Sequence, residues 1–436
     1  MSGSRGSWSG QLGFVLAAAG SAIGLGNIWM FPYRTGAHGG GAFVLVYLAA
    51  VLVVGVPLMV AEVGIGRSAG LNPVGAFRRL RPGLWPLVGW LGVVAGFVIL
   101  SFYGVVAGWA MDYAWRAASG ALFSGGAEQL EGVFGELTAS APRQVAWQAA
   151  FMVASIVVVG RGIEAGIEKA SKVLLPLLLA FMFVLLGYSL TSPGVGQGLD
   201  FLLRPRFGDL GWNGVLAALG QAFFSLSLGM GAMITYGSYL GSEISVPRAV
   251  LLIAGLDTLI AVLAGLMIFP LVFSFGLEPG AGPGLVFITL PKVLALMPAP
   301  RVLATLFFSL VIFAALTSAI SLLEVVVAFI VDEWGWPRRG AAWGAGVAIF
   351  ALGVPSAMVA GFLDRMDTLA TTWMLPLGGL LIAVFSGWAL SPAEAEDGYC
   401  GRNGDRRGFS TWRFCVRYLA PAAVAVILLQ NTGLFG

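Results

Sequence analysis

Gly20-Ser21-Ala22-Ile23-Gly24-Leu25-Gly26-Asn27-Ile28-Trp29-Met30-Phe31-Pro32 lies inside an apolar run that begins near Leu12, so hydropathy alone makes it part of a membrane helix. Three glycines within seven residues, followed by an asparagine and a proline, argue against an intact one. Glycine costs a helix about 1 kcal/mol and proline about 3 kcal/mol relative to alanine. In hydrocarbon a broken backbone persists only where it is buried in protein or lines a watery cavity, because its freed N–H and C=O groups need partners. An ion and a small polar solute are such partners. The stretch therefore points to a transport site.

Composition agrees with a membrane setting. Of 436 residues, 58% are hydrophobic and only 10% charged, and the mean hydropathy is +0.90. A soluble globular domain and a nucleic-acid reader are excluded; the isoelectric point near 9.0 comes from arginines in the connections. The Ser/Gly-rich start runs straight into a span too long for a secretory signal, so no cleavable leader is expected. Two cysteines, Cys400 and Cys415, and a lone His38 beside Gly39-Gly40-Gly41 supply neither a disulfide framework nor a metal-ligand cluster.

Apolar segments of about 20 residues can cross a bilayer. They fall near 11–35, 41–66, 87–117, 145–160, 167–190, 212–240, 249–274, 303–331, 340–360, 367–390 and 412–433, which makes eleven spans. With the N-terminus inside, sixteen of the 24 Lys and Arg residues lie on the cytoplasmic side, and the odd count leaves the C-terminus outside. Residues 118–144, with Glu128, Glu131 and Glu136, read as a solvated outer cap. Residues 275–302, with Pro279, Pro283, Pro291 and Pro298, read as a re-entrant lid, and 391–411 as a polar cytoplasmic loop.

A second interruption, Ser225-Leu226-Ser227-Leu228-Gly229-Met230-Gly231, falls in the sixth span. Broken helices at corresponding places in two halves are the best sequence pointer to a midplane site in an inverted-repeat transporter. Small-residue packing would explain the glycines, but packing needs no Asn27, Ser225 or Ser227. Sodium binds oxygens, which the spans supply sparingly. Asp257 sits in an otherwise apolar seventh span, where a carboxylate is costly and a functional partner is the default. Thr317-Ser318 give two adjacent hydroxyls in the eighth, although an isolated one would back-bond to the preceding turn. Glu62 suits a brace for the first break or a partner of Gln221, and Glu324 either a brace or a proton site. Tyr103 aims a hydroxyl at mid-span. Arg5, Trp8 and Asp332 mark the inner mouth, as a gate or as solvated charges. Gly166 and Pro176, ten apart in span five, permit unwinding or a kinked helix start.

These residues resemble the neurotransmitter:sodium symporter family. Gly20 to Asn27 with Phe31-Pro32, Gly39-Gly40-Gly41-Ala42-Phe43, Pro57-Leu58-Met59 with Glu62 and Gly66-Arg67, and Ser225 through Gly231 carry the likeness over spans one to eleven. It implies an all-α polytopic membrane protein with the leucine-transporter fold, itself the reference example for broken transporter helices. Two inverted five-helix repeats (11–190 and 212–390), discontinuous helices 1 and 6, and an eleventh helix at 412–433 follow from it. It also implies sodium-coupled uptake of amino acids or amines at a bacterial-type inner membrane, with no enzymatic reaction, no organic cofactor and no nucleic-acid partner. The oligomeric state is left open.

Carried over residue by residue, the resemblance implies a first sodium site of the Ala22 carbonyl, Asn27, Ser225 and Asp257. A second sodium site follows from carbonyls of Gly20, Ile23 and Ala314 with Thr317 and Ser318. The substrate carboxylate would meet Leu25 and Gly26 N–H groups and Tyr103, beside Gly24; its ammonium would meet Ala22, Phe224, Ser225 and the Ser227 region. Ile99, Val106, Phe224, Met230, Ala319 and Leu322 would line the side-chain pocket, implying a neutral hydrophobic, aliphatic or aromatic, amino acid. Gates would involve Arg5, Trp8, Asp332, Tyr239 and Asp367, with Gly166 and Pro176 for unwinding of span five. The chain departs from the family's pattern at Met30, where relatives often carry a gate arginine, with Arg34 one turn on. It departs again at Asp257, usually Asn, with Ala261 one turn later lacking the relatives' carboxylate or chloride-binding serine. Asp257 supplying the negative charge itself predicts chloride-independent transport. A proton-coupled carrier titrating Asp257 or Glu324, and a non-transporting substrate sensor, are the alternative readings.

Overall fold

The glycine-rich stretch interrupts the first helix. In the computed structural model, which describes residues 6–124, 126–276, 284–401 and 406–431, α1 (Gln11–Ala22) ends at an extended Ile23 and the chain resumes as α2 (Gly26–Ala37), bent by 50°. α3 (Gly41–Ala69) follows, then a short amphipathic α4 (Pro73–Leu80) capped by Asn72, whose side chain accepts from the Val74 and Gly75 N–H groups. α5 (Pro86–Ser119), α6 (Gly126–Ala139), α7 (Ala141–Gly160) and α8 (Ile163–Ser189) complete the first half.

The second half begins, after α9 (Val195–Leu203), with α10 (Gly211–Ser225) and α11 (Ala232–Gly237), which flank the second interruption. There Ser227 takes φ 52° and Gly229 and Gly231 take φ 78° and 76°; only glycine adopts that region freely, so Ser227 is strained and must be held by its bonds. α12 (Val246–Ser274), α13 (Leu285–Ala295), α14 (Pro300–Trp334), α15 (Arg338–Met358) and α16 (Phe362–Ala389) follow, then α17 (Pro392–Cys400) and α18 (Phe409–Asn431).

Among the described residues nine helices are long and apolar enough to cross a membrane unbroken, and α1 with α2 make a tenth, bent path. α10 and α11 are each too short to count. The long helices α5 and α14 pack along each other and carry mostly buried faces. α1 lies against α12, α14 and α8. The outer surface shows Leu52, Phe183, Leu251, Leu252 and Val347 to its surroundings, as a lipid-facing perimeter requires.

The connections hold more structure than their polarity suggests. Residues 118–144 contain a helix solvated on one face and docked by the other: α6 buries Leu130, Val133 and Leu137 and leaves Glu136 exposed, 3.6 Å from Arg116. The polar 391–411 stretch contains α17, started by a capping box in which Ser391 and Glu394 bond each other's backbone. The fork of Arg81 holds the Glu394 carboxyl well below the usual carboxylate range, at about 2. In the 275–302 stretch, Pro279 and Pro283 lie outside the described residues, Pro291 falls within α13, and Pro298 lies in the connection to α14.

Candidate functional site

Each break is braced from the opposite half of the chain. Gln221 Nε2 donates to the Gly26 carbonyl at 2.8 Å. Glu62 Oε1 accepts from the Gly229 N–H at 2.8 Å. Glu62, expected at the first break or on Gln221, instead serves the second break, and Gln221 serves the first. Both side chains are fully buried, so each satisfies a backbone group that would otherwise be stranded in the interior.

Between the breaks sit Asn27, Ser225 and Asp257, each with no solvent exposure. Asn27 Nδ2 donates to Asp257 Oδ1 at 2.7 Å, to the Asp257 carbonyl at 3.0 Å and to Ser225 Oγ at 3.2 Å. Its Oδ1 accepts from the Gly24 N–H at 3.1 Å. Ser225 Oγ donates to Asp257 Oδ2 at 2.5 Å. Tyr47 Oη lies 3.2 Å from Ser225 Oγ and donates to Asp257 Oδ2 at 3.3 Å. Tyr47 escaped the sequence reading because nothing polar surrounds it on α3.

A second cluster of oxygens lies where α1 meets α14. Thr317 Oγ1 donates to the carbonyls of Ala314 at 3.0 Å, Phe313 at 3.2 Å and Ile23 at 3.5 Å. Ser318 Oγ donates to the Ser21 carbonyl at 3.0 Å and the Ile23 carbonyl at 3.4 Å. Gly20 packs so closely that a Cβ there would stand 3.2 Å from Thr317 Cβ. Ser21 and Ser321 join through their hydroxyls at 2.7 Å, and Ser227 Oγ donates to the Ser21 carbonyl at 2.9 Å. Several of these bonds are long, so a hard cation can take the same carbonyls and hydroxyl lone pairs as ligands.

Between the two clusters lies a cavity of about 30 Å³ whose lining includes Leu25, Ile99, Tyr103, Phe224, Met230 and Leu322 together with Ser21, Ala22, Gly24, Gly26, Ser227 and Ser318. Tyr103 Oη accepts from the Leu25 N–H at 3.2 Å. A Cβ on Gly24 would come within 2.5 Å of Ser318 Oγ, and one on Gly26 within 2.9 Å of Phe224; the backbone approaches these groups only because both residues are glycine. Val106 and Ala319, expected to line the pocket, are buried but are not among its lining residues.

Trp8 plugs the end of the bundle where α1 begins. It is 7% exposed, donates its indole N–H to the Tyr236 carbonyl at 3.0 Å and packs edge-on against Tyr236 and Tyr239. Glu168, unassigned by the sequence reading, accepts from the Ser9 N–H at 2.9 Å and from the Ser9 hydroxyl, pairs with Lys172 at 2.6 Å, and presses against Gly13. Arg5 lies outside the described residues; Asp332 accepts from the Asn72 N–H at 2.9 Å. Glu324 is a brace: Tyr239 donates to it at 2.7 Å and Arg338 grips it through both terminal nitrogens. Gly166 meets the Val158 carbonyl at the wide first turn of α8, which is helical here, with Pro176 inside the helix.

At the opposite end, Arg34 donates to Gln221 Oε1 at 3.1 Å and is the charge that Asp367 faces. Above Phe224 a vestibule of about 390 Å³ includes Tyr33, Arg34, Phe223, Thr371 and Asn431 in its wall. α13 closes over α2 through Phe287, ringed by Trp29, Trp109, Tyr113, Phe134 and Phe308, with Tyr113 Oη donating to its carbonyl at 2.7 Å.

Comparison with known proteins adds to this geometry. The family model for sodium:neurotransmitter symporters matches residues 5–125 and 134–435. An uncharacterised sodium-dependent transporter of Bacillus subtilis is 39% identical over 440 residues, covering 98% of each chain. Another from Methanocaldococcus jannaschii is 35% identical, covering 98% of this chain and 90% of its own. The crystal structure of MhsT in complex with L-phenylalanine superposes with a TM-score of 0.91 at 44% identity, covering 98% of this chain and all of that one.

Proposed function

The chain belongs to the sodium:neurotransmitter symporter family, a family of membrane transporters and not of enzymes, and from that premise we propose that it imports neutral hydrophobic amino acids together with sodium, independently of chloride, by alternating access. The observation that carries this reading is the meeting of the two breaks. Residues from α2, α3, α10 and α12 bring an amide, two hydroxyls and a carboxylate to one buried point. Directly beside it the Leu25 N–H and the Tyr103 hydroxyl face an otherwise apolar cavity.

The division of labour follows from charge. The start of α2 turns backbone N–H groups and the positive end of a helix toward the cavity, which suits a carboxylate. Carbonyls at the end of α1 and near Phe224 suit an ammonium. Ile99, Phe224, Met230 and Leu322 offer no partner to a charged side chain, so a charged amino acid would bury an unpaired ion. A relative in this family has been crystallised with L-phenylalanine, which fits that class of side chain. Asp257 places one negative charge at the first cluster, the charge that an external chloride would otherwise provide. Thr317, Ser318 and the carbonyls of Gly20, Ile23 and Ala314 form the second sodium site. The inner mouth faces the cytoplasm, and eleven spans leave the C-terminus outside.

Uptake of radiolabelled L-phenylalanine into proteoliposomes tests this. An inward sodium gradient should drive accumulation, and exchanging chloride for gluconate should leave the rate unchanged. Equal accumulation without sodium would remove the coupling, and loss of uptake in gluconate would remove the role given to Asp257.

A further inference from the structure

Arg413 and Arg417 stand one turn apart on α18, at the end of the bundle that also carries Arg67 and α17. Among the described residues neither forms an ion pair, and Arg413 Nη1 and Arg417 Nε are buried without a hydrogen-bond partner. The remaining contacts are weak: Arg413 Nη2 reaches the Leu390 carbonyl at 3.5 Å. Two like charges at i and i+4 repel each other. A guanidinium left unpaired at the edge of a bilayer is costly, so two of them side by side call for a shared anion.

The surroundings define what kind of anion. Arg417 Cζ stands 4.2 Å from the centre of the Trp388 ring and 5.7 Å from that of Tyr418, and the Trp388 indole in turn donates to the Arg417 carbonyl at 3.1 Å. A ring against the guanidinium occupies one face and accepts none of its in-plane hydrogen bonds, so the Nε–H still lacks an acceptor. Gly387 makes this contact possible, since a Cβ there would stand 2.9 Å from the Arg417 Cα. Trp388, Phe414 and Tyr418 are about half exposed around the pair, as side chains at a membrane interface are. Leu390, which meets Arg413, also lines a cavity of about 340 Å³ between α3, α16, α17 and α18; Glu394 and Asp397 stand in its wall beside Val60, Ile65 and Trp412, so an anionic headgroup is turned away from it toward the arginines and the exposed rings.

We propose that Arg413 and Arg417 bind the phosphodiester headgroup of an anionic phospholipid at the α16–α18 edge, a lipid site separate from the transport pathway. Two guanidiniums one turn apart offer their donors to one phosphate, while the exposed rings of Trp388, Phe414 and Tyr418 lie along the glycerol and chain portion. A free phosphate ion would use the arginines and leave that apolar surface without a role.

The test uses the full-length protein, stripped of lipid in detergent and titrated with phosphatidylglycerol or phosphatidylcholine while bound lipid is counted by native mass spectrometry. Wild type should bind phosphatidylglycerol in clear preference. The Arg413→Gln/Arg417→Gln variant should bind it about twenty-five-fold more weakly, at about fivefold per guanidinium. Arg417→Lys, which keeps the charge and loses the planar fork, should fall between. Sodium-dependent substrate binding in each variant reports that it is folded; should the double variant fail there, Arg413→Gln alone, expected to lose about fivefold, decides. Equal affinity of folded variant and wild type for phosphatidylglycerol, or no preference for it over phosphatidylcholine, overturns the proposal. So does displacement of the lipid by inorganic phosphate at comparable concentration, which would mark a free-anion site.

Discussion

Replacing Asp257 by asparagine keeps its shape and removes its charge, and the structure sets the scale of the loss. The carboxylate has no solvent exposure and holds Asn27 at 2.7 Å, Ser225 at 2.5 Å and Tyr47 at 3.3 Å. All three partners are neutral, so no protein cation offsets it; in this account sodium does. A unit charge about 4 Å from a cation contributes about 4 kcal/mol at an effective dielectric constant near 20. Part of that returns when the amide recovers hydrogen bonds to the same neighbours, each about 1 kcal/mol. A net loss of about 2–3 kcal/mol remains, which is about 30- to 150-fold in sodium affinity. The assay is binding of radiolabelled phenylalanine to purified protein as sodium is titrated, with wild type, Asp257→Asn and Asp257→Ala compared. Both variants should need far more sodium for half-maximal binding, and Asp257→Ala should show no sodium-dependent binding in the accessible range. A half-saturating sodium concentration within twofold of wild type for Asp257→Asn would refute the assignment of the charge.

Two further outcomes follow from the second cluster and the inner plug. Thr317→Ala combined with Ser318→Ala removes both hydroxyls and leaves only the carbonyls of the second site; the sodium dependence of uptake should become shallower, and a steepness equal to wild type would count against that site. Glu168→Gln weakens charge-assisted bonds to Ser9, worth about 1.5–3 kcal/mol for bonds of this kind, and frees the start of α1. A cysteine introduced at Ser21 in this background should label from the cytoplasmic side several-fold faster than in the parent, and an unchanged rate would show that Trp8 alone closes the mouth.

Much of the site could be read from the chain because its residues break the rules of their surroundings. Asn27, Ser225 and Asp257 are polar in apolar helices, and the glycines flanking them deny an intact helix; those conflicts have few structural explanations. Tyr47 and Ser21 gave no such signal: a tyrosine or serine in a membrane helix is ordinary until tertiary structure turns it inward. Glu62 is recognisable as a brace and Gln221 only as its possible partner; that Glu62 serves the second break and Gln221 the first depends on how the two halves cross, which sequence spacing does not contain. Glu168 sits in a run with Glu164, Lys169 and Lys172 that reads as a solvated helix start, and its burial becomes visible only once α1 is laid against α8. α17 is different, since Ser391, Pro392 and Glu394 spell a helix start that polar composition obscured.

The central claim is that the paired breaks form one site for a neutral hydrophobic amino acid coupled to sodium. It is tested most directly by competing each of the twenty amino acids against sodium-driven phenylalanine uptake in proteoliposomes. The account predicts that aliphatic and aromatic amino acids suppress uptake while lysine, arginine, aspartate and glutamate do not, and that the whole signal vanishes without a sodium gradient. Equal competition by charged amino acids, or uptake that persists without sodium, would contradict it.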